Sequence, residues 1–270
     1  MSDLKIGDIV ARKSYGEDIH FTIADIKNED TANPIYVLRG LLYRIVADGP
    51  GDDLVKQDSR SVYLKTQKYV IEAKRHAQQN RAFRPMSFLR WFRSRPGSIL
   101  HIDSSQELLN MCLKHYREAR LRVAWYLAGE SEQPNVVGRL LNRYRPDILV
   151  VTGHDGLKKN AGDYYSMSSY RNSSYFVQSV KEARKYQPSA DKLCVFAGAC
   201  QSYFEAIMDA GANFASSPGR VLINGLDPAI VSEKVATTPV RNMVSPQEVA
   251  ELTISGSKGI GGVNTRGHLL

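Results

Sequence analysis

The sequence has few cysteines, no long apolar run and no cluster of metal-ligating residues. Its three cysteines, Cys112, Cys194 and Cys200, form no CxxC pair and no Cys/His group at zinc spacing. This argues against a disulfide framework and against a bound metal. No apolar stretch approaches the length of a membrane span, and the first residues carry charges where a signal peptide has its apolar core. We therefore expect a cytoplasmic protein with reduced thiols, no metal and no membrane association.

The glycines near the C-terminus also lack a nucleotide-binding context. Gly256, Gly259, Gly261 and Gly262 do not lie between a strand and a helix, as a dinucleotide or phosphate loop would. We expect no cofactor, and we interpret this segment as a flexible turn near the site.

The composition is that of a globular protein, but its charge is uneven. The 270 residues are 43% hydrophobic and 24% charged, with a formal net charge of +8, and they suffice for one large domain or two modest ones. Residues 61–97 carry nine Lys and Arg residues against Glu72 alone. Such a run is usually a solvated face, so we do not expect nucleic acid as a partner.

The sequence patterns divide the chain into three parts. Short β-branched and aromatic segments in residues 1–60 (KIGDIVARK, HFTIADIK, PIYVLRG and LYRIVAD) predict a small SH3-like β-barrel. Residues 61–97 predict a basic helix followed by a linker. In residues 98–270, apolar strands alternate with amphipathic helices, which predicts an α/β domain with a mostly parallel sheet flanked by helices.

Two of the predicted strands end in the same manner. One opens into Gly153-His154-Asp155-Gly156, and the other opens into Gly198-Ala199-Cys200. Parallel sheets bind ligands at the carboxyl ends of their strands, so His154 and Cys200 are expected to face each other there if the two strands are adjacent. Cys112 and Cys194 lie within apolar patterns and are expected in the core.

An imidazole beside a thiol predicts nucleophilic catalysis. The thiolate is the reactive form, and His154 would act as general base to Cys200. Exposed backbone N–H groups at Asp155, Gly156 and Cys200 would then bind the developing oxyanion. The pattern leaves open whether Asp155 or Gly156 supplies the first of these donors.

The same residues carry a family resemblance. An apolar block ending in His-x-Gly, followed 46 residues later by an apolar block ending in Ala-Cys, resembles the caspase-like (clan CD) peptidases, although Asp155 is an insertion relative to the commoner His-Gly. Over nearly the whole chain, GDIVARKSY, YRPDILVVTGHD, FAGACQSYFEA, AGANFASSPGRV and GIGGVNTRG resemble the YabG family of sporulation-specific peptidases from endospore-forming bacteria.

The resemblance implies a thiol protease with a caspase-like fold and a Cys/His dyad. It implies cleavage after a basic residue, usually Arg, in spore coat and germination-related proteins, and a location in the mother cell with the forming spore coat. A pocket for Arg needs a carboxylate, because a buried guanidinium must be paired. Caspase-like enzymes take one pocket residue from the loop after the first sheet strand, which here makes Asp103 the first candidate. Asp155, Asp163 and Asp227 are alternatives.

Two other functions compete with the peptidase. One is a nucleic-acid-binding protein that uses the barrel and the basic linker, and the other is a structural spore-coat protein with a non-catalytic α/β body. An enzyme that prefers Arg would also find cleavage points in the stretch FRPMSFLRWFRSRPG. We therefore expect autoprocessing in the basic linker.

Overall fold

A computed structural model describes residues 4–29, 31, 33–80, 94–159 and 161–270. Near the N-terminus it contains a five-stranded antiparallel sheet in the order β4-β3-β2-β1-β5. Alternate residues of β2, such as Phe21 and Ile23, are buried, as expected for a strand with one covered face. The strands are β1 Ile9–Arg12, β2 His20–Lys27, β3 Ile35–Gly40, β4 Val46–Pro50 and β5 Leu54–Lys56.

The predicted strand LYRIVAD needs correction at its start. Strand β4 begins only at Val46. The preceding residues form isolated bridges to the second half of the chain, with Tyr43 pairing with Asn224 and Ile45 with Asp155. The sequence predicts an extended segment here, but Tyr43 and Ile45 pair with residues outside the N-terminal sheet. Strand β5 was not predicted.

Helix α1 (Ser59–Gln79) follows directly, as the helical spacing predicts. The Asp58 side chain caps its N-terminus by accepting a hydrogen bond from the Ser61 N–H at 2.7 Å. The buried face carries small and β-branched side chains, namely Val62, Val70, Ala73 and Ala77. Most of the predicted linker, including three of its four candidate cleavage points, at positions 84, 90 and 93, lies outside the described residues, whereas Arg95 is described.

The second sheet has six strands in the order β12-β10-β9-β8-β6-β7. Five neighbouring strands, β10, β9, β8, β6 and β7, are parallel to one another, and β12 is antiparallel at the edge. The predicted glycine-rich turn is therefore wrong, since Gly261 and Gly262 extend the sheet as part of β12. The strands are β6 Ile99–Asp103, β7 Val123–Leu127, β8 Ile148–Thr152, β9 Cys194–Ala197, β10 Phe214–Ser216 and β12 Ile260–Gly262, and a separate pair is formed by β11 Met243–Val244 and β13 Thr265–Arg266.

Helices cover both faces of this sheet. Successive strand residues alternate between two apolar cores, so that Leu149 and Val151 face one side while Ile148 and Val150 face the other. Among the described residues, the α-helices after α1 are α2 Gln106–Glu118, α3 Gln133–Tyr144, α4 Ser173–Tyr186, α5 Phe204–Asp209, α6 Asp227–Thr237, α7 Pro246–Leu252 and α8 Gly256–Gly259. The mixed α/β architecture predicted from the alternation is confirmed.

Two absences hold within the part of the chain that the structure describes. None of its helices combines the length and the apolar character needed to cross a bilayer. No three His, Cys, Asp or Glu side chains among those residues are grouped as metal ligands.

Candidate active site

His154 and Cys200 lie at equivalent positions beyond two neighbouring strands. Strands β8 and β9 are parallel, with Val151 in register with Ala197, and each candidate residue follows its register position by three residues. Both side chains are buried, His154 at 1% and Cys200 at 0% exposure. The fold thus brings both side chains to one edge of the sheet, as the sequence predicts.

The backbone around these residues forms a site with two converging donors. The N–H groups of Asp155 and Cys200 both donate to the carbonyl oxygen of Arg44, each at an N···O distance of 3.1 Å. The N–H of Gly156 points elsewhere and donates to the carboxylate of its neighbour Asp155 at 2.8 Å. The arrangement can therefore hold one negatively charged oxygen between two N–H groups that come from adjacent strand ends.

The side chain of Arg44 enters a closed pocket. Its Nη1 lies 2.9 Å from Asp103 Oδ2, and both side chains have zero exposure. Its Nη2 donates to the Gly225 carbonyl at 2.9 Å and lies 3.6 Å from Cys112 Sγ. The two Nη groups of the guanidinium are thus paired with a carboxylate and a carbonyl, as a buried arginine requires.

The carboxylate of Asp103 is held in its charged form. Burial by itself would raise the pKa of Asp103, but the Arg44 guanidinium, with His101 and the Ser105 N–H, brings it well below its ordinary value. His101 Nε2 lies 3.3 Å from Asp103 Oδ2 and is also fully buried. With Arg44 in the pocket, the Asp103 carboxylate is therefore negatively charged near neutral pH.

The backbone on both sides of Arg44 is extended and hydrogen-bonded to the α/β part. The Leu42 carbonyl accepts from the Gly225 N–H at 2.7 Å, and the Val46 N–H donates to the Asp155 carbonyl at 2.9 Å. Residues 42–46 consequently bind as an added strand, with main-chain bonds for attachment and the Arg44 side chain for specificity.

His154 has one ring nitrogen bonded and one free. Its Nε2 lies 3.0 Å from the carbonyl oxygen of Gly40. Because a carbonyl only accepts hydrogen bonds, Nε2 must carry the proton. Nδ1 is buried and has no hydrogen-bond partner in the described chain, so its lone pair is available to accept a proton. Burial lowers the pKa of His154, which favours this neutral form.

The backbone of His154 is fixed by two further residues. Its N–H donates to Glu130 Oε1 at 2.8 Å, and its carbonyl accepts from the Asn172 side chain at 2.7 Å. Glu130 also accepts from the Ser104 hydroxyl and lies 3.2 Å from Arg39 Nη2. Glu130 thus links the strand end that carries His154 to the N-terminal sheet.

Cys200 is a neutral thiol in this arrangement. Its Sγ accepts from the Ile223 N–H at 3.1 Å and lies 3.6 Å from the Ile223 carbonyl. Burial raises the pKa of Cys200 to about 12. Within the described chain, the thiol and the imidazole hydrogen-bond to Ile223 and Gly40 rather than to each other.

The alternative pocket carboxylates are placed differently. Asp163 is exposed, and the Asp155 carboxylate accepts from Gly156, Asn172, Ser173 and Ser202. Asp227 is fully buried, and its Oδ2 accepts from the Asn224 N–H. Of the four candidates, Asp103 is the one to which the structure assigns an ion pair with an arginine.

Several residues of this site were not anticipated from the sequence. Arg44 lies in a segment that reads as an ordinary strand, and Cys112 was assigned only to the core. The available signal was the arginine itself, because a cation in the middle of the apolar run LLYRIV needs a buried partner. Gly40 and Gly225 act through their backbone carbonyls, which the side-chain pattern does not reveal.

Comparisons with known proteins agree with the predicted family. The family model for YabG peptidase U57 matches residues 5–270. The "Sporulation-specific protease YabG" of Bacillus subtilis (strain 168) is 39% identical over 280 residues, which cover 98% of this chain and 96% of that protein. No solved structure matches the chain. The predictions of the family and of a peptide hydrolase are confirmed.

Proposed function

The chain belongs to the YabG peptidase U57 family and is a peptidase, and on that premise we propose that it is a cysteine endopeptidase that cleaves after arginine. Cys200 is the nucleophile, and His154 is the general base. The observation that carries this proposal is the position of Arg44, whose carbonyl oxygen receives the N–H groups of Asp155 and Cys200 while its guanidinium pairs with Asp103.

The hydrogen-bond pattern supports a division of roles. His154 Nδ1 takes the thiol proton, because Nε2 is occupied by Gly40. The Cys200 thiolate attacks the carbonyl carbon after arginine, and the N–H groups of Asp155 and Cys200 stabilise the oxyanion. Gly156, the other sequence candidate, is excluded from this proposed role, since its N–H is bonded to the Asp155 carboxylate.

The second half of the reaction uses the same groups. His154 returns the proton to the leaving amine, and water then hydrolyses the thioester. Asp103 selects arginine because a planar guanidinium can bond to both its carboxylate and the Gly225 carbonyl, whereas a lysine ammonium lacks that fork.

We also propose the finer fold assignments and the biological setting. The N-terminal sheet is an SH3-like barrel within residues 1–60, residues 61–97 connect it, and residues 98–270 form a caspase-like domain. The substrates are spore coat and germination-related proteins in the mother cell, in keeping with the name of the Bacillus subtilis relative. No cofactor is required for this chemistry.

The test is digestion of a peptide library that contains arginine and lysine at matched positions. Wild-type protein is expected to cut after arginine, and the Cys200→Ala and His154→Ala proteins are expected to lose activity by roughly 1,000-fold or more. Cys194→Ala is the matched control, because this buried cysteine lies in β9, the strand that precedes Cys200, and packs in the apolar core. Equal cleavage by the wild-type and Cys200→Ala proteins would rule out the assignment.

A further inference from the structure

The segment that fills the candidate active site belongs to the chain itself. Residues 41–45 connect β3 to β4. The backbone bonds of residues 42–46 run to Gly225 on one side and to Asp155 on the other. Arg44 has zero exposure. A second polypeptide cannot place an arginine in this pocket while Arg44 remains there.

We propose that the Arg44–Ile45 peptide bond is the first bond that the enzyme cuts, in its own chain. This inference rests on the proposed function and adds a specific substrate to it. It differs from the autoprocessing predicted in the basic linker, because it depends on a segment already seated in the site.

The geometry of the segment is that of a bound substrate in three respects. The carbonyl of Arg44 is the one that receives both N–H donors, the side chain of Arg44 is the one paired with Asp103, and the residue after it leaves the site along Asp155. A segment that merely covered the site would need none of these three to coincide on one residue. An intramolecular reaction also gains from having its reactants already oriented.

The chemical step conserves atoms as an ordinary hydrolysis. Cys200 Sγ forms a bond to the Arg44 carbonyl carbon, and the carbon–nitrogen bond to Ile45 breaks. The proton taken by His154 passes to the Ile45 amine. One water molecule then splits the thioester, which leaves a carboxylate on Arg44, a free amine on Ile45 and a regenerated thiol.

Cleavage would leave two polypeptides that remain paired. Strand β4 lies after the cut and is hydrogen-bonded to β3 before it, with Arg39 in register with Val46. Strand β5 is likewise paired with β1. Only residues 41–44, the new C-terminal end of the first polypeptide, have to leave the pocket for the site to open.

The experiment follows the freshly synthesised full chain by mass spectrometry and N-terminal sequencing over time. Wild-type protein should convert to polypeptides 1–44 and 45–270, with a rate that does not change on tenfold dilution. Cys200→Ala should stay intact at this bond. Arg44→Gln should slow the cut by roughly 100-fold or more, because the pocket's buried polar groups lose their charged partner.

Two further variants separate the chemistry from folding. Arg44→Lys keeps a cation for Asp103, so self-cleavage can be tested in this variant even if the Arg44→Gln protein is unstable. The bond between residues 44 and 45 should be cut more slowly in it than in the wild-type protein. Arg12→Gln is the matched control, because Arg12 forms an ion pair with Asp53 at 2.8 Å in the same N-terminal sheet but lies outside the site. It should be cut at the wild-type rate.

Hydrolysis of an arginine peptide by the Arg44→Gln protein tests the proposed function independently, since this variant weakens the occupying segment. If the variant hydrolyses the peptide while the wild-type Arg44–Ile45 bond stays intact, self-cleavage is overturned and the peptidase remains. If neither the peptide nor the bond is cut by any variant, both proposals fail.

Discussion

Arg44 and Asp103 form an ion pair from which water is wholly excluded, with 2.9 Å between Nη1 and Oδ2. The two residues belong to different parts of the fold. Arg44 lies in the connection between β3 and β4 of the N-terminal sheet, and Asp103 ends strand β6 of the second sheet. A buried pair of this kind costs stability when one partner is removed, by about 3–5 kcal/mol. Because the pair lies beside Cys200 and His154, we infer that it serves the selection of arginine as well as stability.

The first prediction concerns the choice of arginine. Asp103→Asn should lower kcat/KM for arginine peptides about 10- to 100-fold, because the guanidinium loses a charge-assisted hydrogen bond. The loss should be smaller for peptides with an uncharged residue at the same place. Asp163→Asn removes an exposed carboxylate and should leave both rates unchanged. Unaltered arginine cleavage by Asp103→Asn would show that the pocket lies elsewhere.

The second prediction concerns Glu130 as a positioning residue for His154. Its carboxylate holds the His154 N–H, and its charge raises the pKa of His154 against the lowering by burial. Glu130→Gln should therefore lower kcat roughly tenfold, because the neutral amide oxygen is a weaker acceptor for the His154 N–H and holds the imidazole less firmly. It should also move the acid limb of the kcat/KM profile to lower pH, because His154 must be unprotonated to accept the thiol proton.

A pH profile separates this role from a general structural one. Glu132→Gln is the control, since Glu132 lies two residues away and its carboxylate accepts a hydrogen bond from the turn N–H of Gly129, at 3.3 Å, rather than from His154. It should reproduce the wild-type profile. An acid limb that stays in place in Glu130→Gln would contradict the positioning role.

The third prediction concerns the pH dependence of stability through Asp227. Burial raises the pKa of Asp227 from 3.8 to about 7, and its Oδ1 has no hydrogen-bond partner in the described chain. The folded protein therefore holds a proton that the unfolded chain releases between these pKa values. This contribution to stability is complete below pH 3.8 and is lost as the pH rises through about 7. Between pH 6 and pH 8 the free energy of unfolding should therefore fall by about 1 kcal/mol.

Asp227→Asn should remove that loss, since asparagine is neutral at every pH. The measurement is the free energy of unfolding by denaturant at pH 6 and pH 8, for the wild-type protein, for Asp227→Asn and for Asp209→Asn, which changes an exposed residue. The difference between the two pH values should shrink in Asp227→Asn alone. The same difference in all three proteins would refute the assignment.

The sequence was informative wherever a structural feature is local. The apolar runs before His154 and Cys200 predict two buried strands with the candidate residues at their carboxyl ends. That the two strands are neighbours is seen in the structure. The spacing of Val62, Val70 and Ala77 likewise predicts α1. These features depend on the periodicity of side chains, which the sequence carries directly.

The occupant of the site could not be predicted in the same way. Leu42, Tyr43 and Ile45 are good strand residues, and the backbone there is indeed extended, but the pairing partners Asn224 and Asp155 are more than a hundred residues away. Pairing at such a distance depends on the packing of two sheets. The roles of the Gly40 and Gly225 carbonyls as hydrogen-bond acceptors could not be predicted from the sequence for the same reason.

Because of the hydrogen bond between His154 Nε2 and the Gly40 carbonyl, the proposed catalytic centre depends on residues from both halves of the molecule. If the α/β half were expressed alone, it would keep its sulfur and its imidazole, yet the ring would be free to rotate and to carry its proton on either nitrogen. Truncation of the N-terminal sheet would therefore open the pocket that Arg44 fills, but it would leave the imidazole without its Gly40 partner, and a slow enzyme is the expected result.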